Sequence, residues 1–332
     1  MLKWSLEKKH LELKFDWKIS RASEKFKENY FIKVTDGQSI GVGEIAFNKR
    51  YNESCQLIET VFATFLNSNI EKLSNISEFK NVLKNIVGIP NSLRFGLESS
   101  FVHYLASAKN MSVSNFLGVN DLNKIKISFS IPIIPISEIK EFIYKFNLNR
   151  FEMLKLKVNE KMVIERVIEV TKYFKGKLCL DFNEAITDPD LVIYISKKLK
   201  RYPIVFIEQP LPSSMFNEYE YLKNHIDQKI MADESVTDQL VTEDFVNKFD
   251  GVNIKLMKSG GYLNALEQLK SAKNIGMEVM FGSMVETSLG ALSVMSLGPG
   301  GDYFDLDGFL FLKKDPFNFV YEQDGEIFKN NY

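Results

Sequence analysis

The chain has 332 residues, 45% hydrophobic and 26% charged. That is enough for one barrel with an appended domain and too apolar for a disordered protein. A net charge of −1 and lysines scattered through helical segments argue against nucleic acid, and no run approaches 18 uncharged apolar residues, so a small-molecule substrate is expected with neither nucleic acid nor membrane as partner. Two cysteines, Cys55 and Cys179, make no disulfide framework, and the start MLKWSLEKKHLELKF lacks the apolar core and cleavage site of a signal peptide, which predicts a cytosolic protein.

In chain order, segments 11–19, 29–35 and 39–47 are rich in β-branched and aromatic residues and predict a three-stranded meander, with the turn TDGQSIG between the last two. Helical spacing follows over about 52–69, 77–86 and 90–109. The last of these has Pro90 early in the helix and Leu93, Leu97, Phe101 and Leu105 on one face. Residues 1–122 therefore read as an α+β domain. From 123 to 311 a short apolar strand alternates with an amphipathic helix: KISFSI, MLKLKV, LCLDFN, IVFIEQ, KIMADE, GVNIKL, VMFGSM. This rhythm predicts a β/α barrel, with a doubly wound open sheet as the alternative.

Within that rhythm, Asp181, Glu208 and Asp233 recur at intervals of 27 and 25 residues, each closing an apolar run. One such interval is one strand and one helix, so consecutive parallel strands deliver the three carboxylates to one rim and form a site for a divalent metal. Lys155 and Lys157 lie two apart and share a strand face one unit earlier, as do Asp181 and Asn183 on theirs, and Lys255 follows Asp233 by 22 residues. Three oxygen ligands leave positions open on a hard cation such as Mg²⁺, and a substrate carboxylate can fill them. There it accepts the second negative charge that appears as the neighbouring carbon loses its proton. A lysine serves as the base if neighbouring positive charge and desolvation lower its pKa, with Lys155 beside Lys157 and the metal supplying that field. Lys255, roughly across the barrel, addresses the opposite face of the same carbon. Two bases on opposite faces mean racemisation, epimerisation or elimination.

The motifs LKLK, LDFN, IEQP, ADES and NIKLMKSGG, in this order and spacing, resemble those of the enolase superfamily, muconate-lactonizing subgroup, across nearly the whole chain. The resemblance implies an α/β fold, a modified (β/α)7β TIM barrel with an N-terminal α+β capping domain on which the tail 312–332 packs back. It further implies Lys157 and Lys255 as the acid/base pair and Lys155 as support for Lys157 and the substrate carboxylate. Asp181, Glu208 and Asp233 become ligands of one Mg²⁺ per subunit, and Asn183 and Glu234 partners that orient the ligands and Lys255. A related subgroup uses a histidine as second base, and none of His10, His103 or His225 lies at a barrel strand end.

Asp305 and Asp307, in DYFDLDG, share a face at the closing strand. Two more acids facing such a site call for a cation, and a substrate ammonium serves. This pair resembles the feature by which the family's dipeptide epimerases hold the substrate's α-ammonium group. The resemblance thus implies epimerisation at Cα of the second residue of a dipeptide, with L-Ala-D/L-Glu from peptidoglycan turnover the leading substrate. An o-succinylbenzoate synthase-like dehydratase or a muconate cycloisomerase is the alternative. Arg21, Arg50 and Tyr51 fall in capping-domain loops, where family members place specificity residues, and Arg21 suits a glutamate side chain. Ser283 and Glu286 end another strand; the resemblance implies that they line the pocket or support residues that do, and capping of the next helix is the alternative. Asn52 stands where glycine is common, and Phe309 stands where proline often follows DLDG, altering the pocket wall. Relatives are often dimers or octamers, and no feature here decides whether this chain forms a homo-oligomer.

Overall fold

The computed structural model describes residues 1–330. The chain opens with an antiparallel meander of β1 (Lys3–Ile19), β2 (Ala22–Thr35) and β3 (Ile40–Ile45). Strand β1 begins eight residues earlier than its predicted start at 11; in WSLEKKH the consecutive Glu7 and Lys8 are both exposed, so charge on both faces interrupts the apolar alternation although pairing with β2 continues. Three helices follow, α1 (Cys55–Leu66), α2 (Ile76–Lys84) and α3 (Asn91–Ala108), with a short α4 (Val113–Leu117) that the sequence reading lacked. Ser54 and Asn75 cap α1 and α2 by accepting from the Leu57 and Glu78 amides. Helix α3 is buried along most of its length and lies directly on β3. A Cβ at Gly41 or Gly43 would come 1.9 and 2.1 Å from α3 carbonyl oxygens, so the alternating glycines of IGVGE are what admit the helix.

The segment KISFSI, predicted as one strand, divides. Strand β4 (Lys124–Lys126) leaves for a separate sheet, and β5 (Phe129–Ile131) opens the barrel. Seven more parallel strands follow in sequence order: β6 (Met153–Lys157), β7 (Lys177–Asp181), β8 (Ile204–Glu208), β9 (Lys229–Ala232), β10 (Gly251–Lys255), β11 (Glu278–Gly282) and β12 (Tyr303–Asp305). The order never reverses, and the Ser128 amide donates to the Phe304 carbonyl at 2.9 Å across the seam between β5 and β12. This is the wall of a barrel rather than a doubly wound sheet. Around it run α5 (Ile139–Lys145), α6 (Val163–Tyr173), α7 (Pro189–Leu199), α8 (Glu218–Lys223), α9 (Glu243–Val246), α10 (Leu256–Ser259), α11 (Tyr262–Asn274) and α12 (Ser288–Met295). The inward positions form layers. Met153, Cys179, Phe206, Met231 and Met280 make an apolar floor, and the residues two further along each of these strands stand one layer above it.

After the barrel the chain recrosses β1, where Leu312 bridges Leu13 and the Lys313 amide donates to the Glu12 carbonyl. Phe317 packs on Phe31 of β2. The hairpin of β13 (Val320–Gln323) and β14 (Glu326–Lys329) then pairs with β4, so the tail touches both the meander and the entry to the barrel. The last two residues of the tail predicted over 312–332 lie outside the described residues. Among the described residues no helix is long and apolar enough to cross a membrane.

Candidate active site

The layer above the apolar floor carries the charge. Asp181 and Glu208 end β7 and β8, Asp233 follows β9 directly, and each offers a carboxylate oxygen within 4.8 Å of the others. All three are buried. Burying three like charges is stable only with positive partners. Lys155 Nζ lies 3.0 Å from Asp181, 2.7 Å from Glu208 and 2.7 Å from Asp305. Lys157 Nζ donates to Asp181 Oδ2 at 2.5 Å, and Lys255 Nζ to Asp233 Oδ2 at 2.9 Å. The seven sequence-predicted residues Lys155, Lys157, Asp181, Glu208, Asp233, Lys255 and Asp305 thus converge at one end of the barrel.

Lys155 was predicted to lend positive charge to Lys157. Burial pulls Lys155 down, but Asp181, Asp305 and Glu208 outweigh it and hold the ammonium well above its ordinary range. Burial likewise opposes protonation of Lys255, and the Asp233 charge overrides it. A cation among the carboxylates weakens this hold on the lysine protons, because it takes up part of the carboxylates' charge. The residues fit such an ion. Burial and the Asp181 charge push Glu208 up to about 8, and Glu208 Oε2, although close to Lys155, has no aligned hydrogen bond. Three hard oxygens short of positive charge are a donor set for a divalent cation of the Mg²⁺ type.

Several supports escaped the sequence reading. Asn253, inward on β10, donates to Glu208 Oε1 at 2.9 Å. Lys258 spends its three donors on Asp233 Oδ1 (2.6 Å), the Asp233 carbonyl (2.5 Å) and the Asn253 carbonyl (3.0 Å). Gln209 accepts from the Asp233 and Ser235 amides. Asn253, Lys258 and Gln209 stand inside the motifs NIKLMKSGG and IEQP, whose order was the signal; their partners were not legible. Gly282 leaves them room, since a Cβ there would sit 2.4 Å from Asn253 Oδ1 and 3.0 Å from Lys255 Cε.

Asn183 does not share a strand face with Asp181, because β7 ends at Asp181 and Asn183 is left-handed at φ 46°. It still supports the ligand, through its amide to Asp181 Oδ1 at 2.9 Å, and its side chain donates to Glu234 Oε1. Glu234 was expected to orient Lys255; its hydrogen bonds instead come from Asn183 and Arg21.

The site opens into a cavity of about 820 Å³ beneath the β1–β2 turn, walled by Trp17, Ile19, Phe47, Met284, Val285 and Phe311. Lys157, Lys255, Asp233, Asp305, Asp307, Tyr51 and Ser283 reach it as well. Asp305 Oδ1 accepts from the Ser128 hydroxyl, and Asp307 Oδ2 from the Ser130 amide at 2.5 Å. Burial, with Asp305 adjacent, pushes the Asp307 carboxyl up to about 8, which marks a place short of positive charge. Ser283 is tied to the Asp305 carbonyl through its amide and hydroxyl. Glu286 lies behind the cavity wall, accepting from the Met284 amide. Phe309, predicted to alter the pocket wall, packs into the core, and Phe311 takes the wall, because the turn Gly308–Phe311 rotates the chain after Asp307. Asn52 is left-handed at φ 59°, which explains glycine or asparagine there. Arg21 and Arg50 both reach the rim, but neither is free: Arg21 pairs with Glu234 and Glu184, and Arg50 with Glu184.

The Enolase C-terminal domain-like family model matches residues 139–302. The L-Ala-D/L-amino acid epimerase of Maribacter sp. is 27% identical over 97% of this chain and 95% of its own length. Among solved structures, the substrate-liganded L-Ala-D/L-Glu epimerase from Bacillus subtilis superposes with a TM-score of 0.89 at 22% identity, covering 99% of this chain and 96% of that one. The dipeptide epimerase from Enterococcus faecalis, complexed with Mg and L-Leu-L-Tyr, does so with a TM-score of 0.88 at 22% identity over 98% and 96%. With the barrel, the three-acid rim and the lysines on facing strands already in place, the chain is similar over residues 139–302 to the Enolase C-terminal domain-like family and, along nearly its whole length, to proteins named as epimerases of dipeptides.

Proposed function

We propose that the protein inverts Cα of the C-terminal residue of a dipeptide, with L-Ala-D/L-Glu as the leading substrate. Asp305 and Asp307 carry this reading: two buried carboxylates reach the cavity beside the three-acid rim, and among the described residues Asp307 forms no ion pair, only feeling Lys155 at longer range. A dipeptide's α-ammonium supplies that cation while its carboxylate end faces the rim, which brings the second Cα between β6 and β10. Lys157 on β6 and Lys255 on β10 then stand on opposite sides of that carbon. One takes the Cα proton, and the other returns a proton to the opposite face. Lys155, paired with three carboxylates, stays an ammonium and holds charge rather than moving a proton. One Mg²⁺ per subunit, held by Asp181, Glu208 and Asp233, supplies Lewis-acid stabilisation for the negative charge that gathers on the substrate carboxylate. This reading places the protein in peptidoglycan recycling in the cytosol, while the relatives' names support the dipeptide class alone.

The test is NMR of L-Ala-L-Glu in D₂O with enzyme and Mg²⁺. The expected result is loss of the glutamate α-proton signal together with growth of the L,D diastereomer. Exchange without the new diastereomer would point to a lyase or another dipeptide, and no exchange on any dipeptide would refute the reading.

A further inference from the structure

Glu184 follows Asn183 in a second left-handed conformation, φ 67° after φ 46°, a pair of strained non-glycine residues that persists only where the surroundings hold it. The surroundings do. Glu184 Oε1 accepts from Arg50 Nη2 at 2.7 Å and from the Ser213 amide at 2.8 Å, and Oε2 accepts from Arg50 Nε at 2.6 Å and Arg21 Nη1 at 3.2 Å. Arg21 belongs to the turn between β1 and β2, and Arg50 to the tight turn Lys49–Tyr51 after β3. Both turns line the mouth of the cavity. Arg21 is further bound to the Asn183 carbonyl at 2.8 Å and to Glu234 Oε1 at 2.6 Å, and Ser20 also donates to the Asn183 carbonyl. Two guanidinium groups therefore meet two carboxylates, Glu184 and Glu234, and neither arginine keeps an uncompensated charge for a substrate. Bidentate Arg–carboxylate pairs fix geometry as well as energy.

We infer that Glu184 is a positioning residue that clasps both loops over the cavity, and that Arg21 serves this clasp instead of reading an acidic substrate side chain. The inference deepens the epimerase reading for its kinetic consequences but is testable without it. Hydrogen–deuterium exchange is measured on wild type, Glu184→Gln and Arg50→Lys, following peptides that contain residues 19–22 and 48–52. Arg50→Lys keeps the charge and loses the fork, so it decides the matter even where a Glu184 variant folds poorly. Faster exchange in both turns is expected in either variant. Unchanged protection of both turns overturns the clasp, whether or not the protein is an epimerase. With active enzyme, loss of these charged hydrogen bonds is expected to raise KM about tenfold for L-Ala-L-Glu and L-Ala-L-Leu alike, leaving kcat within about twofold. Arg21→Ala is expected to behave in the same parallel way. A loss confined to L-Ala-L-Glu in Arg21→Ala would return Arg21 to substrate reading and overturn its assignment to the clasp.

Discussion

Replacing Glu286 by glutamine is expected to leave the protein intact while removing a slope from its stability against pH. Glu286 lies just before α12, buried near Glu44 of β3. Glu44 accepts from the Thr287 amide and hydroxyl and from Asn29 Nδ2, whereas the Met284 amide is the hydrogen bond made to Glu286. Burial pushes both carboxyls up, Glu44 to about 7 and Glu286 to about 8, and the better hydrogen-bonded Glu44 ionises first, so the proton belongs on Glu286. Burial, with the Glu44 charge adding, raises its carboxyl from 4.5 to about 8. With a folded pKa above the unfolded one, the stabilisation is fully present below pH 4.5 and is lost as pH rises through about 8. Over that window the displacement is worth on the order of 5 kcal/mol. Urea titrations of wild type and Glu286→Gln, each with saturating Mg²⁺, measure it, because titrating groups other than the neighbouring Glu44 cancel in the difference. Near pH 5 the two are expected to match within about 1 kcal/mol, glutamine mimicking the protonated acid, and near pH 9 the variant is expected to be the more stable by several. Parallel curves across this range would refute the placement of the proton.

The two lysines make a stereochemical prediction: Lys157→Ala and Lys255→Ala each lose epimerisation by about 10²–10⁴-fold while keeping α-proton exchange with one of the two diastereomers, as read by NMR in D₂O. Exchange with both in either variant would show that the lysine replaced is not one of two facing bases. Asn253→Ala strips the hydrogen bond from Glu208 and is expected to weaken Mg²⁺ binding about 10–100-fold by calorimetry, with the fold unchanged by circular dichroism. Lys258→Met leaves Asp233 short of a buried cationic partner and is expected to cost about 3–5 kcal/mol in the metal-free protein, part of which Mg²⁺ restores. If Mg²⁺ restores none of it, Asp233 is not a ligand.

The spacing of Asp181, Glu208 and Asp233 and the two-residue step from Lys155 to Lys157 were legible because they rest on local rules. A strand with its helix consumes a near-constant length of chain, and alternate residues share a strand face. The closing acids Asp305 and Asp307 both reach the cavity, but β12 ends at Asp305 and a turn carries Asp307, so they do not share a strand face as the two-residue step predicted. Where the backbone left the regular strand, as at Asn183, or turned after Asp307 to exchange Phe309 for Phe311, periodicity ceased to apply. The start of β1 and the division of KISFSI into β4 and β5 were hidden for another reason: charge on both faces of β1 interrupts the apolar alternation, and a strand's partner is not written in the strand.

What the sequence determined by itself was the set of chemical groups and the rim on which they stand. The tertiary structure alone decided which charges neutralise which. Lys155 meets Asp305 across 150 residues, and Arg21 meets Glu184 across 163. Barrel closure and the docking of the N-terminal turns create those pairs, so that the lysine predicted to support Lys157 also meets three carboxylates, and Arg21 is held by Glu184 and Glu234. Interaction energies at such distances along the chain depend on separation in space, for which sequence interval carries no information.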